Sequence, residues 1–396
     1  MRIGIDCRDI AHPERGPVSG IGLYVHHLTA ALVDAVSVDT AHGDELTLFF
    51  DSHDAAEARH ELHAGRDGVT VRVLPFRAMR SMPILRSHLL ASAFFTREGL
   101  DVLHGPANSV PLFYRHRTVV TVHDLAVYDH PEWFPSSLPG AGSFSRGVVV
   151  PASVRRASRV IAVSEATRAD VVRLLGVARE KIAVVHEAAA MSAPQQDSHH
   201  PVPLQGASGR YVLGLSTIEP RKNIGALAWA FIAAAKEGAI PADVNLVIAG
   251  ARGWKCAETF AAIEHAQQVL GKERVTYLGP VSEREKTDLL SHASALAYPS
   301  LAEGFGLPPL EAMTLGTPVI ASDAPSIKEV CGDAALYAEA GDVASLAHAL
   351  KEHFSDPVGV AARTQTGLAR AATFSWRKAA RETMDAYRDA ASGIRK

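Results

Sequence analysis

The chain has 396 residues, which at roughly 150 residues per domain points to two or three domains and excludes a small stapled module. Hydrophobic residues make up 47% and charged residues 21%, ordinary globular usage that excludes wholesale disorder. A formal net charge of -3 sets up no field for a polyanion, so nucleic acid is not expected as a partner.

The opening, MRIGIDCRDI, reads as a strand followed by polar residues, without the basic-then-apolar order of a signal peptide. Cys7, Cys256 and Cys331 lie far apart and form no CxxC or Cys/His cluster, so neither a disulfide frame nor a zinc site is expected. A reducing, cytoplasmic setting fits this usage. Short β-branched runs then alternate with helical patterns: RIGID, ELTLFF from Glu45, VTVRVLPF from Val69, DVLHG from Asp101, TVVTVHD from Thr118, RVIAVS from Arg159 and KIAVVHE from Lys181. Strand, helix, strand is the order of a parallel α/β sheet. Residues 191–209, rich in Pro, Ser, Gln and His, read as an interdomain linker.

A second series follows: YVLGLS from Tyr211, VNLVIAG, RVTYLG, ALAYPS and PVIAS. The fold class is therefore α/β, with two doubly wound domains at 1–190 and 210–375. The last segment, 376–396, has apolar groups at helical spacing and is expected to pack back on the first domain. The longest uninterrupted apolar run, Ala226 to Ala235, is about half of what a bilayer crossing needs, so no membrane span is expected.

Ligands of doubly wound sheets sit beyond the carboxyl ends of the strands, and the candidate residues gather there. In PSLAEGFGLPPLEAMTLGTPVIAS, Glu303 stands in a glycine-rich turn with Gly304 and Gly306, and Glu311 lies on the helix opened by Pro308 and Pro309. Backbone N–H groups at such a helix start suit phosphate, although a capped strand-to-helix connection would look the same. In STIEPRKNIGAL, Arg221 and Lys222 follow a strand end, where they either neutralise a diphosphate or are solvated. GPVSGIGLYVHHLTAAL places Gly16, Gly20 and Gly22 ahead of a helix and does not match G-x-G-x-x-G, so a nicotinamide site is not indicated. His123 and Asp124 end one strand, and His104 and Asn108 follow an earlier one. No D-x-D and no ligand-spaced partner accompanies them, which disfavours a divalent metal. Ser164 reads as an N-cap. Residues 76–97 carry Arg77, Arg80, Arg86 and Arg97 among apolar residues, which fits a core-facing helix with a basic outer side or contact with an anionic membrane surface.

Taken in order, the glycine loop, the H-D pair, the V-S-E strand end, E-P-R-K-N and the phrase EGFGLPPLEAMTLGTPV resemble the GT-B glycosyltransferases of family 4, glycosyl transferases group 1. The resemblance implies two Rossmann-like domains facing a cleft, an amino-terminal acceptor domain and a carboxyl-terminal donor domain. It implies retaining, metal-independent transfer of a hexose from a nucleoside diphosphate sugar, with no other cofactor. Similarity to bacterial polysaccharide mannosyltransferases makes GDP-mannose the first expected donor and UDP-glucose the second. The acceptor would be a glycan or a lipid-linked oligosaccharide, handled in the cytoplasm or on the inner membrane face. By the same resemblance, Glu303 and His123, with Asp124 beside it, face the transferred sugar. Arg221 and Lys222 hold the diphosphate, helped by Gly20, Gly22 and the turn at Phe305, Gly306 and Leu307, while Glu311 holds the ribose. Arg252 and Leu278 would lie near the base, and His104 and Asn108 near the acceptor. The chain departs from the family at HEAAA, His186 to Ala190, where many relatives have an N-G-V-D type turn. A two-lobed binding protein and a GT-B sugar epimerase are the rival readings.

Overall fold

The computed structural model describes residues 1–10, 20–38, 43–76, 82, 84–135, 144–191 and 209–393. The chain divides into two compact units. The first comprises Met1–Leu125, Ser137–Glu187 and Ser375–Lys396, and the second Ala126–Ser136 and Ala188–Phe374.

The first unit is built on a parallel sheet of β1 (Arg2–Asp6), β2 (Glu45–Phe50), β3 (Val69–Val73), β4 (Val102–Gly105), β5 (Thr118–Val122), β6 (Arg159–Ala162) and β7 (Ile182–Val184), in the order β3-β2-β1-β4-β5-β6-β7. The central strands β4 and β5 are buried along their whole length, and edge strand β3 alternates with solvent. That contrast is why the inner strands read as unbroken apolar runs. The chain winds outward from β1 through β2 to β3, then returns to start again at β4, so β1 and β4 form a topological switch point.

The helix Gly20–Val38 buries Tyr24, Val25, Leu28, Leu32, Val33 and Val36. By length and composition it could match a bilayer, which a search for uninterrupted apolar runs passes over. Here it is a core helix. Helix Trp376–Ser392, capped by the Ser375 hydroxyl, buries Ala379, Thr383, Met384 and Tyr387, and its Trp376 ring stacks on His27 at 5.5 Å. Sequence patterning anticipates the apolar face, because the buried positions recur at helical spacing.

The second unit holds β8 (Arg210–Leu215), β9 (Val244–Ala249), β10 (Val275–Gly279), β11 (Ala295–Tyr298), β12 (Val319–Ser322) and β13 (Ala335–Ala338), all parallel, in the order β10-β9-β8-β11-β12-β13. Strand β13, missing from the sequence reading, is short and alanine-rich and so carries almost no β signal.

The unit boundaries also differ from 1–190, 210–375 and 376–396. The division falls between Glu187 and Ala188 and between Phe374 and Ser375, and Ala126–Ser136 joins the second unit. That excursion is anchored where Trp254 Nε1 donates to the Trp133 carbonyl at 2.9 Å and Lys255 Nζ to the Glu132 carbonyl at 2.6 Å. Most of the expected linker, 192–208, lies outside the described residues.

Candidate active site

In the second unit, the loops after β8 and β11 are tied together by the Leu301 amide donating to the Arg221 carbonyl at 2.8 Å. Arg221 and Lys222 form a single 3-10 turn, Pro220–Lys222, ended by Asn223 in a left-handed conformation. Between these loops lies an ionic cluster. Arg221 Nη1 meets Glu303 Oε2 at 2.9 Å, and Lys222 Nζ meets Glu303 Oε1 at 2.6 Å. The Tyr298 hydroxyl donates to Glu303 Oε1 at 2.7 Å, and Lys222 Nζ also reaches that hydroxyl at 3.2 Å. Glu219 holds the other edge of the Arg221 guanidinium at 3.0 Å.

Burial alone would raise the Glu303 carboxyl, but Lys222 and Arg221 outweigh it and bring it down to about 2. Four charges thus sum to zero in a largely buried cluster. Sequence reasoning finds three of them and misses Glu219 and Tyr298. Neither residue type is marked by spacing alone.

The turn from Glu303 into the helix Leu307–Thr314 requires Gly306, whose φ of 116° is unfavourable for any residue with a Cβ. Phe305 is buried with its ring 5.8 Å from that of Phe374, so it anchors the turn by packing. Pro308 and Pro309 supply no N–H, which leaves the amide donors of this helix start to Leu307 and the turn before it. Glu311, one helical step further on, is buried and accepts from Lys286 Nζ at 2.7 Å. Lys286 in turn meets Glu283 at 2.8 Å, and these two carboxylates raise its ammonium against the effect of burial. Lys286 is a further residue that sequence reasoning does not single out. Arg252 lays its guanidinium over the Phe260 ring at 3.8 Å, at the carboxyl edge of β9, and Phe260 packs edge-on to Tyr277. Leu278 is half-buried near the end of the edge strand β10.

In the first unit, His123 follows β5 and is buried. Its Nδ1 lies 3.2 Å from Glu187 Oε1 and its Nε2 2.8 Å from the Pro106 carbonyl. Both partners are acceptors, so both ring nitrogens must donate, which is the bonding of an imidazolium. Burial opposes that charge, but Glu187 and the Pro106 carbonyl outweigh it and raise the His123 value. Glu187 stands in HEAAA, His186–Ala190, so this stretch carries a partner for the strand-end histidine. Asn108 accepts the His123 backbone N–H at 2.8 Å and adopts a positive φ of 61°. It anchors the loop to the end of β5. Asp124 is half-exposed beside His123.

Three expectations are corrected here. His104 is not placed for an acceptor: it is fully buried in β4, with Nδ1 at 2.7 Å from the Tyr387 hydroxyl and Nε2 at 2.9 Å from Thr121 Oγ1. Burial and the neighbouring His123 lower it to about 3, so it is a neutral core histidine joining the sheet to the last helix. Gly20 and Gly22 do not precede the helix but occupy its first turn, Gly20 exposed and Gly22 buried, and Gly16 lies outside the described residues. In segment 76–97 Ala91 and Phe95 face the core as expected, but the basic side is not wholly solvated, since Arg86 pairs with Asp51 at 3.2 Å. Arg97 is exposed, and Arg77 and Arg80 lie outside the described residues.

The sequence model described as glycosyl transferases group 1 matches residues 196–371, and the one described as glycosyltransferase family 4 matches residues 18–189. The chain belongs to the family 4, group 1 glycosyltransferases. Over 386 residues this glycosyltransferase is 29% identical to the O-antigen chain mannosyltransferase B of Escherichia coli, with 95% of this chain and 97% of that protein covered. It is 33% identical over 248 residues, 62% of each chain, to the O-antigen chain mannosyltransferase RfbU of Salmonella typhimurium. Among solved structures, the sucrose-phosphate synthase of Thermosynechococcus elongatus superposes with a TM-score of 0.72 at 20% identity, covering 98% of both chains. Anabaena HepE in complex with UDP and glucose gives 0.69 at 20% identity, over 97% of this chain and 98% of that one. The fold is that of the GT-B glycosyltransferases, and the chain is an enzyme.

Proposed function

We infer that this glycosyltransferase moves a hexose from a nucleoside diphosphate sugar to a hydroxyl of a glycan or lipid-linked oligosaccharide in polysaccharide assembly. GDP-mannose is the donor we favour, because two relatives, one matching 95% of this chain and one 62%, are named as O-antigen mannosyltransferases. The reaction retains the anomeric configuration and needs no divalent metal. It takes place in the cytoplasm, where such a donor would be supplied.

The observation that carries this reading is the cluster of Arg221, Lys222 and Glu303 at the carboxyl edge of β8 and β11. In the transfer, the acceptor oxygen bonds to C1 of the sugar as the bond from C1 to the phosphate oxygen breaks. The electron pair stays on the diphosphate, which takes the acceptor proton on the same face. Negative charge therefore grows on the leaving group, where Arg221 and Lys222 are already fixed and desolvated. Arg serves as a planar fork and Lys as a point charge. Glu303, held ionised between them, is a strong acceptor for a sugar hydroxyl. Glu311, at the inner end of the turn, accepts from the ribose in place of Lys286.

The test is transfer by the purified enzyme from GDP-mannose and, separately, UDP-glucose to a mannose-terminated acceptor in EDTA, with the new linkage read by NMR. An α-mannoside formed from GDP-mannose without metal supports the reading. A β-linkage, a strict metal requirement or turnover of UDP-glucose alone would overturn the corresponding part.

A further inference from the structure

The first unit contains a cavity of about 280 Å³ at its topological switch point. Its walls come from the carboxyl ends of β1 (Asp6, Arg8, Asp9) and β2 (Asp51), from the 106–111 loop after β4, and from two helices that enter through π-helical turns, Leu85–Leu90 and Ser145–Val149. The loop folds tightly back because Gly105 has no Cβ: one built there would lie 2.0 Å from the Ser109 carbonyl. Both π-turns described in the chain open onto this one cavity, Arg86 and His88 from the first and Ser145 and Val149 from the second. Such turns widen a helix locally and recur at ligand sites.

Both cations in the wall are already held by carboxylates of the wall. Asp6 grips Arg8 through two bonds of 2.7 and 2.6 Å, and Arg8 also lies over the Phe95 ring at 5.7 Å. Asp51 holds Arg86 at 3.2 Å. Burial and Arg8 lower the value of His88, which leaves it neutral, and its Nδ1 is shut away from solvent with no hydrogen bond. Among the described residues the wall therefore carries three carboxylates against two guanidinium groups. A phosphate or uronate would have to displace a carboxylate from its cation and would face the remaining ones. Fixed acceptors beside fixed donors suit the vicinal hydroxyls of a neutral sugar, and the volume, about nine water molecules' worth at about 30 Å³ each, is on the scale of one sugar ring.

We propose that this cavity binds one uncharged hexose ring of the acceptor glycan and discriminates against anionic sugars. The assignment to the acceptor rests on the transferase reading above. The cavity also abuts the strand-end histidine, since Pro106, whose carbonyl His123 holds, is part of its wall.

The test measures binding of methyl glycosides of mannose, glucose, galactose and N-acetylglucosamine to the full chain by saturation-transfer NMR, beside the corresponding 6-phosphates. At least one neutral glycoside is expected to bind, with its 6-phosphate weaker by about tenfold or more. Asp51→Asn and the cavity-filling Ser87→Trp should each weaken that glycoside about tenfold, with GDP binding and the circular dichroism spectrum unchanged. Failure of every neutral glycoside, tighter binding of a phosphate, or glycoside binding unmoved in both variants would overturn the proposal. If GDP binds and no glycoside does, the cavity assignment fails alone. If a glycoside binds in the expected way and no nucleotide does, the sugar site stands and the transferase reading fails.

Discussion

Glu303→Gln keeps the shape of the side chain and removes its charge from between Arg221 and Lys222. Bringing the carboxyl down to about 2 from its ordinary 4.5 is worth, at about 1.4 kcal/mol per tenfold change in proton affinity, about 3 kcal/mol of preference for the ionised form. Removing the charge between the two cations costs a similar amount, about 3 kcal/mol, the low end for a broken buried pair because Glu219 still neutralises Arg221. For a unit of this size that lowers the melting temperature by about 6–12 °C at pH 7.5. The sign follows from the depressed value: the contribution is complete above the unfolded-state carboxyl range and is lost as pH falls toward 2. The gap between wild type and variant should accordingly narrow to about 2 kcal/mol at pH 3.5. Binding should move the other way. With Glu303 neutralised, Lys222 and Arg221, the latter still held by Glu219, carry a net positive charge toward a diphosphate, so GDP affinity by calorimetry should hold or rise while turnover falls by about tenfold to a hundredfold. Equal melting temperatures, or GDP affinity lost in parallel with turnover, would refute the reasoning.

Glu187→Gln should lower the His123 value, read from its ring nitrogen shifts by NMR. Since a raised histidine stabilises below its unfolded value of about 6.5 and loses that support as pH rises through the folded value, the alkaline loss of stability tied to it should shrink in the variant. Tyr387→Phe removes the hydroxyl on His104 and should cost about 1–2 kcal/mol in urea unfolding with donor and acceptor KM unchanged. A raised acceptor KM would return His104 to the site. Glu311→Ala should raise donor KM by about tenfold or more with a smaller change in kcat, because it removes binding common to ground and transition states. An unchanged donor KM would contradict the ribose role.

Most strands were legible because a buried parallel strand has to be a continuous apolar run, and Ser164 was legible because its hydroxyl caps at 3.0 Å the amide it should. Strand β13 and the Ala126–Ser136 excursion were not, since ALYA and a short aromatic loop carry no periodicity. In the site, Arg221, Lys222, Glu303 and Glu311 stand in phrases long enough to read. Glu219, Lys286 and Glu187 do not, because a single charged residue in a loop shows its partner only after folding brings the partner near. His104 was misread for the same reason in reverse: Tyr387, which commits it to the core, lies 283 residues away.

The measurement that bears most directly on the donor site is calorimetric titration of the full chain with GDP, UDP and ADP in EDTA, repeated on Arg221→Ala and Lys222→Ala. GDP should bind more tightly than the other two, and each substitution should weaken it by about tenfold or more, the worth of a hydrogen bond to a charged group. No nucleotide binding in the wild type, or binding indifferent to both substitutions, would contradict the site built on these two residues.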